Sequence, residues 1–164
     1  MNTLKWVEIG SGGAPIQINN AEIVHTDINK YQSKHIETFC DAHYLPFKDG
    51  IFDVAYTSHV LEHVDNPIKV IQELKRVTKR LVIIRVPNFS YNKFIDEPHD
   101  HIYGWNEFTL RNLLKRFFKK VEIQHTTRQR SAGKFWRKIE LIKILFISLF
   151  AKESNELTVI CYKK

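Results

Sequence analysis

The chain is poor in the residues that cross-link or interrupt a fold. Of its 164 residues, only two are cysteine, six are glycine and five are proline. The two cysteines, Cys40 and Cys161, lie in apolar runs and not at metal-ligand spacing, so we expect reduced core thiols of an intracellular protein. Sparse glycine and proline argue against long disordered segments. We therefore expect a single domain over residues 1–164.

Long apolar runs are also missing. No run reaches the roughly 18 residues that a membrane-spanning helix needs. The opening segment LKWVEI is too short for a secretory signal and contains an acid, so we expect a cytoplasmic protein. Acidic residues are fewer than basic ones, and the formal net charge is +7. That charge is compatible with nucleic acid, anionic lipid or phosphorylated partners, but it is also common in lysine-rich soluble proteins.

Short apolar segments alternate with helical patterns. The segments that read as strands are 5–9, 22–26, 36–40, 52–57, 81–86, 121–126 and 157–162. Helical spacing over 60–79 predicts a helix capped by Asp65 or Asn66 with Pro67 in its first position, and a second helix over 105–118 has Asn106 as its cap. The alternation predicts an α/β fold with a Rossmann-like, doubly wound parallel sheet.

Two of the connections are short. Residues 13–21 separate the first two strands, and residues 28–35 separate the second from the third. A crossover between parallel strands normally needs a dozen or more residues and a helix. We therefore expect a minimal version of the fold, with short or missing helices on one face of the sheet.

A glycine-rich loop follows the first predicted strand in VEIGSGGAP, residues 7–15. Glycine lets a ligand approach the backbone, and such a loop after a strand is a usual place for a nucleotide-like cofactor. Asp27 follows Gly10 by 17 residues, near the spacing at which a strand-end carboxylate binds ribose hydroxyls. Pro15 stands at the third glycine of the NAD fingerprint, which argues against NAD.

An ordered set of motifs follows the loop. These motifs are DA at 41–42, LPF at 45–47, FD at 52–53, VLEHV at 60–64 and DNP at 65–67. Together with the glycine loop, this order resembles the class I S-adenosylmethionine-dependent methyltransferases, specifically the methyltransferase type 11 group. The resemblance runs from about Val7 to Lys79, and less specifically to about Phe118. It implies S-adenosyl-L-methionine as the cofactor and a mostly parallel seven-stranded sheet whose last strand is antiparallel.

The resemblance also assigns cofactor contacts. The glycine loop would hold the methionine end, Asp27 the ribose and Asp41 the adenine amino group. A cationic sulfonium that carries an ammonium group suits a pocket with carboxylates nearby. The expected cofactor-binding residues are Glu8, Gly10, Ser11, Gly12, Asp27, Ile28, Asp41, Ala42, Thr57, Ser58 and His63.

The segment DEPHDHIYGW, residues 96–105, follows the fifth predicted strand, at the edge where ligands of parallel sheets bind. An acceptor pocket, a solvated loop and a metal site are three open interpretations, and we expect the first and no metal. The expected acceptor-binding residues are His99, His101, Tyr103 and Trp105. A base is needed only when the acceptor starts protonated, and the candidates are His59, His63 and His101.

The sequence lacks the motifs of two classes of nucleic-acid methyltransferase. The fourth predicted strand ends in YTSH, without the Asn/Asp-Pro-Pro-aromatic turn of nucleobase amino methylation, and neither cysteine is placed as a nucleophile. We expect methyl transfer to oxygen or nitrogen of a small-molecule or glycan-like acceptor. A non-catalytic cofactor-binding subunit of a larger complex and a nucleic-acid methyltransferase are the alternatives.

A basic and then apolar segment, residues 128–152, precedes the last strand and predicts a helical insertion. Its apolar residues point almost all round a helix, which then needs burial on more than one side. It would fold over the bare sheet face, pair with its copy in a homodimer through residues 134–151, or lie at a membrane surface.

Overall fold

A seven-stranded sheet organises the computed structural model, which describes residues 3–30, 34–89, 101–126 and 155–163. The strands are β1 (Leu4–Ile9), β2 (Ala21–Asp27), β3 (Thr38–Phe39), β4 (Phe52–Ser58), β5 (Thr78–Pro87), β6 (Lys120–Thr126) and β7 (Glu156–Tyr162). Their order is β3-β2-β1-β4-β5-β7-β6. Neighbouring strands are parallel except that β7 is antiparallel to both β5 and β6. The predicted sheet with an antiparallel last strand is confirmed.

Helix α1 (Pro67–Val77) begins where the sequence places its cap. The Asn66 side chain accepts a hydrogen bond from the Lys69 amide at 3.1 Å, and Pro67 occupies the first turn, where its missing N–H costs nothing. The helix ends earlier than its pattern, because the chain passes directly into β5 at Thr78.

Helix α2 (Glu107–Leu114) has a reciprocal cap. The Asn106 side chain accepts from the Thr109 amide at 2.9 Å, and the Thr109 hydroxyl accepts from the Asn106 amide at 3.2 Å. The predicted cap is confirmed, whereas the helix stops at Leu114, short of the predicted residue 118.

Both helices pack against one face of the sheet. On that face the core includes Val7, Ile84, Leu74 and Leu110, all fully buried. The other face has a smaller cluster centred on Trp6, which packs against the loop segment that contains Ile16 and Ile18 and not against a helix of the described residues. The expectation of a fold with helices missing on one face is therefore confirmed for the part of the chain described.

Several predictions lie outside the described residues. The insertion at 128–152 falls there, together with its 134–151 helix, and the single-domain assignment of 1–164 stays a prediction. Within the described ranges, no helix is long and apolar enough to cross a membrane. Cys40 and Cys161 are both free thiols, and Cys161 is fully buried, which raises its pKa to about 12.

Candidate functional site

The glycine loop is fixed to the neighbouring strand by its own backbone. The amides of Gly10 and Ser11 both donate to the Thr26 carbonyl at 3.0 Å. Gly10 has φ +72°, and a Cβ placed there would lie 2.3 Å from Cγ2 of Val60. A side chain at position 10 would therefore meet both backbone strain and a direct clash. The loop thus lies directly against the turn that follows β4.

The Glu8 side chain binds the backbone just after the glycine loop. It is almost fully buried, its Oε2 accepts from the Ile16 amide at 3.1 Å, and the same oxygen lies 2.7 Å from Nδ1 of His25. Burial raises the pKa of Glu8, although the His25 and Ile16 hydrogen bonds oppose that rise. Glu8 therefore acts on the shape of the loop by binding its backbone, and its contact with a cofactor stays a prediction.

Asp27 lies at the end of β2, beside the loop. Its Oδ2 accepts from the Gly12 amide and its Oδ1 from the Asn29 amide, both at 2.8 Å. A carboxylate has about four acceptor positions, so positions remain for two ribose hydroxyls. The adjacent Ile28 is 72% exposed and offers apolar surface at the same edge.

Asp41 follows β3 at the same edge. The Cys40 amide donates to the Asp27 carbonyl at 2.9 Å, which holds the two aspartates on neighbouring chain segments. Asp41 Oδ1 accepts from the His43 amide at 2.8 Å and lies 2.6 Å from the His43 ring. Burial alone would raise the pKa of Asp41, but the His43 hydrogen bonds outweigh it and leave that pKa below its usual value. Half-buried Ala42 packs against the core.

Two of the residues expected to bind the cofactor, Thr57 and Ser58, end strand β4. The Thr57 side chain is fully buried, and its hydroxyl donates to the Ile9 carbonyl at 3.1 Å. It therefore joins β4 to β1, and the contact of Thr57 with a cofactor stays a prediction. Ser58, the last residue of β4, is half-buried and lies nearer the edge.

His59 follows β4 in a left-handed conformation, with φ 56°. Its Nε2 lies 3.1 Å from Oε1 of Glu156, and its Nδ1 lies 3.2 Å from Oε1 of Glu62. Arg85 also pairs with Glu156. Burial would lower the pKa of His59, but its two carboxylate partners outweigh this and raise it to about 9. A group already protonated at neutral pH is unsuited to act as a base.

The loop after residue 100 docks onto the turn after β4. The amides of Ile102 and Tyr103 donate to the Glu62 carbonyl at 2.7 and 3.1 Å, and the Tyr103 hydroxyl donates to the Asp65 carbonyl at 3.0 Å. The rings of His63 and His101 consequently lie edge to face, with centroids 4.7 Å apart. Two of the histidines expected at the site are therefore brought together.

The remaining residues predicted to bind the acceptor are Tyr103, Trp105 and His99. Tyr103 is half-buried and stacks on Trp105 with ring centroids 5.6 Å apart. Trp105 itself is 7% exposed and belongs to the core, so it supports Tyr103 from below. His99 lies outside the described residues.

Two carboxylates of this region were not predicted as site residues. Glu62 could have been identified from the sequence, because it lies between His59 and His63 within one short motif. Glu156 had none, because it reaches His59 only through the pairing of β7 with β5.

Comparisons with known proteins agree with this architecture. Residues 7–84 match the family model described as a methyltransferase domain. An uncharacterized methyltransferase of Schizosaccharomyces pombe is 51% identical over 35 residues, which span 21% of this chain and only 13% of that protein. The structure of a methyltransferase from Thermotoga maritima has a TM-score of 0.70 at 16% identity, covering 98% of this chain and 83% of that one. One from Archaeoglobus fulgidus has a TM-score of 0.68 at 21% identity, covering 98% and 86%.

Residues 7–84 thus match a methyltransferase domain, and the described sheet shares its fold with solved S-adenosylmethionine-dependent methyltransferases. This match implies S-adenosyl-L-methionine as the cofactor, which supplies an electrophilic methyl group when bound. The residues present fit this molecule, because Glu8, Asp27 and Asp41 place carboxylates at or after three adjacent strands. Such groups suit ribose hydroxyls, an adenine amino group and a cationic sulfonium. The individual contacts stay predictions.

Proposed function

We propose that this chain transfers the methyl group of S-adenosylmethionine to an oxygen or nitrogen of a small-molecule or glycan-like acceptor. The observation that carries the proposal is the docking of residues 101–103 onto the turn after β4. Val60 of that turn covers Gly10, so the polar side chains of His63, His101 and Tyr103 lie on segments that adjoin the cofactor loop. An acceptor bound there would be next to the methionine end of the cofactor.

Methyl transfer depends more on alignment of the acceptor with the methyl group than on reactive side chains. Methyl transfer is an in-line displacement, so holding the acceptor atom against the methyl carbon supplies much of the rate. The protonated His59 can carry charge and fix the turn, which leaves His63 or His101 as the base for an acceptor that must lose a proton.

A small polar acceptor is favoured over nucleic acid by the residues of this region. Residues 59–65 and 101–105 contain no lysine or arginine, although the whole chain carries a net charge of +7. Phosphate backbones are bound chiefly through such cations. The lysine and arginine residues that give the chain its positive charge therefore lie outside the two segments proposed to bind the acceptor.

A homodimer and a cytoplasmic location are part of the proposal. The sheet face around Trp6 has no helix of the described residues on it, and a second copy of the chain is one occupant for it. The 134–151 segment is another candidate contact, and it would alternatively give a peripheral membrane contact. Sedimentation at micromolar concentrations that shows only monomer would exclude the dimer, and indifference to anionic liposomes at physiological salt would exclude the membrane contact.

Calorimetric titration tests the proposal first. S-adenosylmethionine and S-adenosylhomocysteine should bind with micromolar affinity, whereas NAD should not bind. Samples that bind are then incubated with methyl-labelled cofactor and sets of hydroxylated and amine acceptors. Cofactor binding without transfer to any acceptor, together with a stable protein partner, would favour the non-catalytic subunit instead.

A further inference from the structure

We propose that Glu62, His63 and His101 form a binding site for a divalent first-row transition metal. The carboxylate oxygen and the two imidazole nitrogens that they offer all lie within 4.8 Å of one another. One carboxylate with two imidazoles is a donor set taken by zinc and by iron(II). Ligand atoms around such an ion lie roughly 3–4 Å apart, given bonds of about 2.1 Å, so small side-chain rotations close the site.

The Glu62 side chain is a buried carboxylate that pairs with His59. It is 1% exposed, and within the described part of the chain neither of its oxygens makes a hydrogen bond of good geometry. The nearest charged group is His59, with Nδ1 3.2 Å from Oε1. Because an incompletely compensated buried charge is costly, buried carboxylates are paired or coordinate metals. Because His59 is shared with Glu156, a metal ion would add to the compensation of the Glu62 charge.

The three ligands are held in place by the backbone. Glu62 and His63 are consecutive in the turn, and His101 comes from a loop whose next two amides both donate to the Glu62 carbonyl. Tyr103 anchors the same loop through Asp65. Glu62 is buried whereas His63 is exposed, so the site is open on one side to water or to an acceptor oxygen. An open coordination position is typical of catalytic and not of structural metal sites.

The site adjoins the cofactor region. Val60, which packs against Gly10, precedes Glu62 by two residues. A metal there would hold an acceptor hydroxyl and favour loss of its proton to solvent, in place of a histidine base, because His63 and His101 would be metal ligands. The oxygen then forms its bond to the methyl carbon while the electron pair of the sulfur–carbon bond returns to sulfur. This role rests on the proposed function, whereas metal binding itself does not.

The test uses metal-stripped full-length protein titrated with Co²⁺ and with Zn²⁺, without cofactor or acceptor. We expect one ion per chain, visible absorption bands from cobalt with imidazole ligands, and zinc retained through gel filtration. His63→Asn and His101→Asn should each weaken cobalt binding at least about 100-fold, since even groups outside the first coordination sphere contribute 10- to 100-fold.

His125→Asn is the matched control. His125 also lies beside a carboxylate, with Nε2 2.8 Å from Glu107 Oε2, but on β6 and outside the proposed site. It should bind cobalt like the original chain. No metal uptake, or equal uptake by all three variants, overturns the proposal. Cofactor titration of the same samples separates the two ideas: cofactor binding without metal uptake overturns only the metal site, and metal uptake without cofactor binding overturns only the proposed function.

Discussion

The sharpest test of the cofactor assignment is Asp27→Asn. The substitution keeps the size of the side chain but replaces one carboxylate oxygen by an amide NH₂ group and removes the charge. In the structure both oxygens accept backbone amides, from Gly12 and Asn29 at 2.8 Å, so one of these donors loses its acceptor. Hydrogen bonds to a charged group contribute about 1.5–3 kcal/mol each. If one ribose hydroxyl loses its partner, the Kd for S-adenosylmethionine should rise about 10- to 150-fold.

Calorimetry with S-adenosylmethionine and S-adenosylhomocysteine measures this change, and both ligands should be affected alike because both carry the ribose. Asp53→Asn is the matched control, because Asp53 also accepts a backbone amide, from Lys5 at 2.9 Å, near the other end of its strand. Urea unfolding of both variants shows whether each remains folded. A folded Asp27→Asn protein that binds within about threefold of the original chain would refute the ribose assignment.

Two further predictions concern the glycine loop and the partly buried ion pair between Glu73 and Arg76. Gly10→Ala should destabilise the fold by about 2 kcal/mol or more in urea unfolding, because a left-handed alanine costs 1–2 kcal/mol and its Cβ would meet Val60. Gly13→Ala, where a Cβ meets nothing within 4 Å, should be nearly neutral, and equal losses would contradict this reasoning. The hydrogen bond from Arg76 is the largest of the effects that hold the pKa of Glu73 below its usual value of 4.5. The ion pair therefore stabilises the folded state above pH 4.5, and this stabilisation is lost as the pH falls through the folded-state pKa of Glu73. Glu73→Gln should therefore cost about 2 kcal/mol at pH 7 and much less near pH 3, and a pH-independent difference would count against the ion pair.

Features that depend on neighbouring residues could be predicted from the sequence, whereas contacts between residues far apart in the chain could not. Asn66 and Asn106 were identified as caps because a cap depends on a few neighbouring residues. The partner of His59, in contrast, is Glu156, 97 residues away in sequence, and it arrives only because β7 inserts between β5 and β6. Thr57 shows a different limit, because the sequence places it at a strand end but does not show that its hydroxyl donates to the Ile9 carbonyl of the neighbouring strand.

The glycine loop and the turn after β4 are in direct contact. Gly10 leaves no room for a methyl group against Val60, so a ligand that displaces the loop also displaces the turn that carries Glu62 and His63. Thermodynamic linkage then requires that cofactor and acceptor change each other's affinity by the same factor. A glycine whose small size suits the cofactor would in this way also couple the affinities of the two substrates.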